Sequence, residues 1–167
     1  LSFYLLTATL KDLMNKKSLI SQKISHLGFG LLLLSILLNG IFSSEFSSNM
    51  KVGDTRKFED KIINFVDIQT IKKANFKSLL AKFEINHKDK TYILRPELRI
   101  YNKPETITSE ADILTSLYAD NFLVFNILKS DGYFNVRYQH KPFMLCIWLS
   151  TILISLGGIL TYFRKNV

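Results

Sequence analysis

The chain has 167 residues, of which 47% are hydrophobic, and its formal net charge at pH 7 is +8. This length predicts one domain, with room for membrane segments beside it. The excess of basic residues lies mainly beside the outer ends of two apolar runs, and the segment between them has no basic stripe of the kind that reads a nucleic-acid groove. The totals therefore argue against one large soluble core and against a nucleic-acid partner, and they favour a membrane protein with an extramembrane domain.

The first ten residues, LSFYLLTATL, are apolar but cover only half of the about 20 residues that a bilayer-spanning helix needs. They lack the basic segment and the small-residue cleavage site of a signal peptide. We interpret residues 1–10 as the tail of a transmembrane helix that begins upstream, and a buried or interfacial helix is the alternative. The chain begins with Leu1 and has no initiator methionine, so we expect it to be part of a longer protein.

Two longer apolar runs, residues 24–43 and 143–163, are each long enough to cross a bilayer. The basic residues at their outer ends are Lys16, Lys17, Lys23, Arg164 and Lys165. By the positive-inside rule both of these ends face the cytoplasm or matrix, which makes residues 11–23 a basic cytoplasmic loop and residues 164–167 a cytoplasmic tail. Residues 44–142 then form a domain on the opposite side of the membrane.

Residues 44–142 have the mixed composition of a water-soluble domain. The serine-rich residues 43–49 predict a flexible exit from the membrane. The runs with strand character are residues 61–71, 76–87, 91–101, 121–128 and 133–138. The second and third of these runs predict a hairpin, and the last two predict another around the Asp131-Gly132 turn signal. Residues 107–118 are compatible with a strand or a short helix, since their periodicity does not decide between them.

Several short strands without a convincing long helix predict a small all-β sandwich or barrel. The predicted fold class is thus a membrane protein of the α+β type. Two complete transmembrane helices, with the tail of a third, flank a small all-β extramembrane domain. No internal repeat or low-complexity tract is found.

His26 is the only ionisable residue in the apolar run 24–43. An ionisable group inside a membrane span is costly, so its default interpretation is a functional site. No second histidine, cysteine or carboxylate lies one helical turn away, which excludes a metal site built from this helix alone. Haem needs only one axial ligand from each of two helices and stays compatible. Gly30 is four residues further on, on the same helix face, where its missing side chain would let a flat macrocycle approach the backbone.

The alternative interpretation of His26 is a histidine bonded to a neighbouring helix, with Gly28 and Gly30 permitting close packing. Among the other candidates, His87 lies in a predicted turn and is expected to be solvated. His140 precedes the second apolar run and is expected at the membrane surface. The single cysteine, Cys146, is expected to act as a small hydrophobic residue, and Gly157-Gly158 predicts a helix–helix contact. The sequence contains no nucleophile elbow, phosphate loop or paired-carboxylate motif.

Several stretches, taken in order, resemble the C-terminal part of the CcmF family, the haem lyase subunit of the system I cytochrome c maturation pathway. They are SHLG at 25–28, PELRIY at 96–101, TITSEADI at 106–113, LY at 117–118 and VRYQHKPF at 136–143, followed by Ile147-Trp148 and Gly157-Gly158. The chain departs from the family pattern at Leu98, where the family usually has lysine, and at Thr115-Ser116, where it usually has Arg-Asp. The tryptophan-rich external loop of the family, with its flanking histidines, is not found in this sequence.

The resemblance implies that residues 44–142 are a β-domain in the periplasm, or in the intermembrane space, between the last two spans. It implies that His26 is an axial ligand of the iron of haem b, which in this family is thought to reduce the incoming haem iron before the thioether bonds to apocytochrome c form. The implied partners are the remainder of the haem lyase, a haem chaperone and apocytochrome c.

The implied location is the bacterial inner membrane, with the mitochondrial inner membrane as the alternative. We expect a fragment, a split-gene product or the remnant of a disrupted gene, not a haem lyase (holocytochrome c synthase) that is complete alone. The competing hypothesis is a non-catalytic, membrane-anchored interaction module.

Overall fold

The structure is a computed structural model that describes residues 2–14, 19–128 and 132–165. Its contacts divide the chain into two units. The helical unit consists of the described residues of Leu1–Ser43, Ser116–Asp120 and Lys141–Val167. The β unit consists of those of Ser44–Thr115 and Asn121–His140. The predicted fold class is confirmed, because two apolar helices of membrane-spanning length flank a mostly β domain along the chain.

The helices of the described ranges are α1 (Ser2–Met14), α2 (Ile20–Phe42) and α3 (Met144–Lys165). Helices α2 and α3 are long and apolar enough to cross a membrane. Two helices are longer at one end than the apolar segments predicted from the sequence. Helix α1 continues beyond residue 10 to Met14, and α2 begins at Ile20, before residue 24. Hydrophobicity marks only the part of a helix that can lie in the hydrocarbon layer, whereas the helix ends also depend on polar contacts with neighbouring helices.

Helix α2 packs closely on α3 through small residues. A Cβ atom added at Gly28 would lie 2.9 Å from the backbone nitrogen of Ile154, and one added at Gly157 would lie 2.7 Å from the carbonyl oxygen of Ser21. Small residues permit such close approach of membrane helices. The predicted helix contact is therefore confirmed for Gly157, whereas Gly158 has no atom within 4 Å of an added Cβ.

The β unit contains two antiparallel-paired sheets. The strands of the described residues are β1 (Ser44–Met50), β2 (Thr55–Phe58), β3 (Lys61–Lys72), β4 (Phe76–His87), β5 (Lys90–Leu94), β6 (Glu97–Asn102), β7 (Glu105–Glu110), β8 (Asp112–Thr115), β9 (Ala119–Ile127) and β10 (Phe134–Pro142). Within the described ranges, one sheet has the order β1-β10-β9-β8 and the other β2-β3-β4-β6-β7, with β5 paired to β4.

Aromatic side chains fill the core of the β unit. Phe65 of β3 stacks on Phe83 of β4 with ring centroids 4.4 Å apart, and both side chains are almost fully buried. Phe125 and Phe134, from the other sheet, complete the cluster at centroid distances of 5.7 to 6.4 Å. Buried and exposed residues alternate along β3 from Lys61 to Phe65, as expected for a strand with one face in the core.

The structure corrects the prediction of a flexible exit at residues 43–49. Residues Ser44–Met50 form β1, which pairs with β10 from Ser44–His140 to Met50–Phe134. Phe46 of this strand packs on Phe58, with ring centroids 5.4 Å apart. The serine-rich composition hid the strand, because its pairing partner lies about ninety residues later in the chain.

Other predicted strands need smaller corrections. The run 91–101 is divided at Arg95-Pro96 into β5 and β6, as expected where proline removes a backbone donor from the ladder. Residues 107–118, left open between strand and helix, contribute to β7 and β8. The second predicted hairpin joins β9 to β10. Its turn residues 130 and 131 lie outside the described residues, and Gly132 has a φ of +74°.

Candidate functional site

His26 lies near the beginning of α2, and its ring contacts a carboxylate of α1. The Nδ1 atom is 2.8 Å from Oδ2 of Asp12, fourteen residues earlier in the chain. An ionised carboxylate only accepts hydrogen bonds, so Nδ1 carries the hydrogen and donates it. Reasoning from residue spacing missed this partner, because Asp12 comes from another helix and not from the neighbouring turn of α2.

The hydrogen bond at Nδ1 decides what the other ring nitrogen does. In a neutral imidazole that is protonated at Nδ1, the Nε2 atom holds the lone pair. Among residues 2–14, 19–128 and 132–165 no hydrogen-bond partner of Nε2 is seen, and 45% of the His26 side chain is exposed. Histidines that bind metals typically donate the second ring N–H to a carboxylate or carbonyl in this way.

Two faces of α2 carry different neighbours. Gly28 lies on the face that packs against Leu153 and Ile154 of α3. His26 lies on the face that meets α1, and Gly30, four residues further on, shares that face and is buried. The role expected for Gly30, a close approach of a macrocycle to the backbone, stays a prediction.

These contacts bear on both interpretations of His26. The alternative interpretation predicts a histidine that is bonded to a neighbouring helix and lies beside small packing residues. An imidazole whose proton is fixed on Nδ1 and whose lone pair is on Nε2 also fits a single ligand of haem iron. The residues present therefore fit one ligand position of a haem. The two interpretations differ in whether Nε2 binds a haem iron.

His87 and His140 lie in the β unit and have other partners. The Nε2 atom of His87 is 2.7 Å from Oδ2 of Asp60, and this hydrogen bond lowers the pKa of the Asp60 carboxyl. The Nδ1 atom of His140 is 2.8 Å from Oδ1 of Asn121, which also accepts a hydrogen bond from the hydroxyl of Tyr138 at 2.8 Å. Burial lowers the pKa of His140 and raises that of Tyr138. His140, Asn121 and Tyr138 thus form a hydrogen-bonded cluster in which burial disfavours the protonated form of the His140 ring.

A metal site of the usual protein type is not found in the part of the chain that the structure describes. Among these residues no group of three or more histidine, cysteine, aspartate or glutamate side chains is placed to hold an ion. Cys146 is free and half-buried in α3. In the described part of the helical unit, the Asp12–His26 pair joins a carboxylate and an imidazole of two different helices.

Comparison with known proteins gives a consistent result. Residues 41–142 match the family described as the CcmF C-terminal beta-sandwich. The chain is 24% identical over 139 residues to the cytochrome c-type biogenesis protein CycK of Bradyrhizobium diazoefficiens, covering 83% of this chain and 21% of that protein. It is 27% identical over 148 residues to the cytochrome c-type biogenesis protein CcmF of Escherichia coli, covering 86% of this chain and 23% of that protein.

The fold is shared with a solved structure of a cytochrome c heme lyase CcmF. The two superpose with a TM-score of 0.71 at 14% identity, over 95% of this chain and 28% of that chain. The chain spans between a fifth and a quarter of the length of the two curated relatives described above.

Proposed function

The chain belongs to the family of the CcmF C-terminal β-sandwich, and from this premise we propose that it is the C-terminal part of a cytochrome c biogenesis haem lyase. In this proposal His26 supplies one axial ligand of haem b. The observation that carries it is the 2.8 Å hydrogen bond from Nδ1 of His26 to Asp12, which leaves the lone pair on Nε2.

The residues of this chain would each have a defined task at such a site. His26 would hold the iron through Nε2, and Asp12 would keep the Nδ1 proton in place and fix the orientation of the ring. A further residue to hold the haem would come from the remainder of the lyase. When bound, ferrous haem b would supply the one electron that reduces an incoming ferric haem iron before that haem is attached to apocytochrome c, and its own iron would become ferric.

The two units would serve different steps. Helices α2 and α3 would cross the bacterial inner membrane, and the β unit would lie in the periplasm, where a haem chaperone and apocytochrome c would meet the lyase. The orientation rests on the basic residues at the outer ends of the two apolar runs. In an organelle the same topology would place the β unit in the intermembrane space.

A haem-loading experiment tests the proposal. The chain would be co-expressed with the upstream part of a haem lyase and purified, and its absorbance would be recorded in the reduced and oxidised forms. We expect the parent complex to show a b-type spectrum and His26→Ala to lose most of it. His87→Ala is the matched control, because His87 is also bonded to a carboxylate but belongs to the β unit. Full haem retention by His26→Ala would contradict the proposed ligand.

A second candidate function is a non-catalytic, membrane-anchored interaction module. The Asp12–His26 bond favours it, because a carboxylate partner by itself accounts for a histidine at this depth. This candidate predicts that deleting the β unit abolishes complex formation while His26→Ala leaves cytochrome c maturation unchanged. A maturation defect in His26→Ala, with complex formation retained, would reject it.

A further inference from the structure

The turn between β8 and β9, residues 116–119, exposes two large apolar side chains. Leu117 is 76% exposed and Tyr118 is 84% exposed. The backbone around them is well fixed, since the amide of Ser116 donates to the carbonyl of Ala119 at 3.0 Å. The hydroxyl of Ser116 also donates to that carbonyl at 2.7 Å and accepts from the amide of Ala119 at 3.1 Å. Leu117 and Tyr118 are therefore presented by a rigid turn.

A backbone hydrogen bond joins this turn to the residue before α3. The amide of Phe143, directly before α3, donates to the carbonyl oxygen of Tyr118 at 2.9 Å. Phe143 has a φ of +61°, a left-handed conformation that is unfavourable for a residue with a Cβ atom. The hydrogen bond to the turn helps to hold Phe143 in this conformation, so the turn and the start of α3 are positioned together.

The end of α2 lies at the same level. The Asn39 side chain donates a hydrogen bond to the carbonyl of Pro142, and the ring of Phe42 lies 6.5 Å from that of Phe143. One end of each apolar helix and the turn 116–119 thus meet within the helical unit. If α2 and α3 cross a bilayer, this junction lies where the hydrocarbon gives way to the headgroups.

The side chains at this junction have the composition of a membrane interface. Phe42 is 59% exposed at the end of α2, and Trp148 is 60% exposed at the second turn of α3. Tryptophan and tyrosine are enriched at the headgroup level of membrane proteins. The segment 113–119 carries no charged residue, and the neighbouring Asp120 is already buried at 8% exposure, so inserting Leu117 and Tyr118 near the acyl chains removes little ionised surface from water. Tyr118 offers an apolar ring for this layer and a hydroxyl for the headgroups.

We propose that the turn 116–119 is a membrane anchor, with Leu117 and Tyr118 inserted at the headgroup–acyl boundary of the leaflet where α2 ends and α3 begins. The partner is a lipid surface, chosen over a protein because the turn is continuous with the apolar surface of two helices of spanning length. The anchor does not depend on haem ligation by His26, and it would fix the point at which the chain leaves and re-enters the bilayer.

Tryptophan fluorescence tests this anchor. Trp148 is the only tryptophan of the chain, so Trp148→Phe gives a silent background for Tyr118→Trp and, separately, Leu117→Trp. The chain would be reconstituted in phosphatidylcholine vesicles whose lipids are brominated near the headgroup end or near the methyl end of the acyl chain. Leu156→Trp, at an exposed position within α3, reports a deep site, and Val52→Trp, at an exposed position of the β unit, reports a site outside the bilayer.

We expect shallow bromination to lower the emission of both turn probes roughly twofold, because interfacial side chains lie about 5–10 Å into the headgroup–acyl boundary. Deep bromination should quench the Leu156 probe more than the turn probes. If iodide in the water quenches the turn probes as strongly as the Val52 probe, the proposal is overturned. Shielding from both bromolipid and iodide would also overturn it, because the turn would then be covered by protein. An unchanged thermal unfolding midpoint shows that the probes have not altered the fold.

Discussion

Oδ2 of Asp12 lies 2.8 Å from Nδ1 of His26, which joins α1 to α2 through the only ionisable side chain of the apolar run 24–43. The carboxylate fixes the proton on Nδ1, so the ring presents its lone pair at Nε2. A hydrogen bond from a ligating histidine to a carboxylate also makes the imidazole a stronger electron donor. This pair therefore leads to a specific prediction for the haem-loaded complex.

If His26 ligates haem as proposed, we expect Asp12→Asn to leave haem bound but to raise its midpoint potential, because an amide oxygen is a weaker acceptor of the Nδ1–H bond than a carboxylate and leaves the imidazole a weaker electron donor. Asp12→Ala, which leaves Nδ1 without its acceptor, should weaken haem retention about 10- to 100-fold. Redox titration of the b-type absorbance and haem transfer to an acceptor protein measure the two effects.

Asp89→Asn is the matched control for this experiment, since Asp89 is an exposed carboxylate in a turn of the β unit. If both Asp12 variants have the same haem midpoint potential and the same haem retention as the control, Asp12 has no positioning role. The haem ligand itself would then still be tested by His26→Ala alone.

Gly157 and Gly158 provide a matched pair for the contact between α2 and α3. A Cβ at Gly157 would meet Ser25 and the carbonyl of Ser21, whereas one at Gly158 would meet no atom within 4 Å. We expect Gly157→Ala to destabilise the helical unit by about 1–3 kcal/mol through overpacking. Gly158→Ala should be neutral or stabilising by up to about 1 kcal/mol, because alanine favours the helix.

Thermal unfolding in detergent, followed by helical circular dichroism, measures this difference. Equal midpoints for the two variants would show that α2 and α3 do not pack at Gly157.

The cluster around His140 predicts a pH dependence of the β unit. Burial is the main cause of the lowered pKa of His140, and the nearby Lys61 adds to it. The unfolded chain therefore binds a proton at His140 at a higher pH than the folded chain does. This contribution to stability is fully present above the unfolded pKa of about 6.5 and is lost as the pH falls through the folded pKa of His140.

Urea unfolding between pH 7 and pH 5, followed by near-ultraviolet circular dichroism of the aromatic core, measures this dependence. His140→Gln should flatten the profile in this window, because glutamine does not titrate. His87→Gln, in the same unit, should change the profile much less, because the charge of His87 is only a minor cause of the lowered pKa of His140. A wild-type profile that is already flat, or a slope that persists in His140→Gln, would refute the assignment.

Much of the fold is visible in local patterns. The two apolar runs correspond to α2 and α3, and the run 76–87 corresponds to β4 (Phe76–His87), because period and length are properties of a continuous stretch. The resemblance to the CcmF family, drawn from short motifs in order, is confirmed by the family match over residues 41–142. Strand β1 was not predicted, because this serine-rich segment forms a strand only by pairing with β10.

The candidate site is predictable only in part. His26 stands out because it is ionisable and surrounded by apolar residues. Asp12 carries no such signal, as it lies in a polar connection where charges are ordinary. The position of Leu117 and Tyr118 beside the start of α3 is equally hidden, because it is seen only in the hydrogen bond between Phe143 and Tyr118.

By itself, the sequence determined that this protein has two apolar helices of spanning length on either side of a β-domain along the chain. The reason is that the length of an apolar segment and the alternation of a strand are properties of consecutive residues. Only the tertiary structure decided that Asp12 bonds His26, that Gly157 and not Gly158 faces α2, and that β1 closes on β10. The physical reason is that these contacts join residues distant in sequence, and their geometry depends on how whole elements pack.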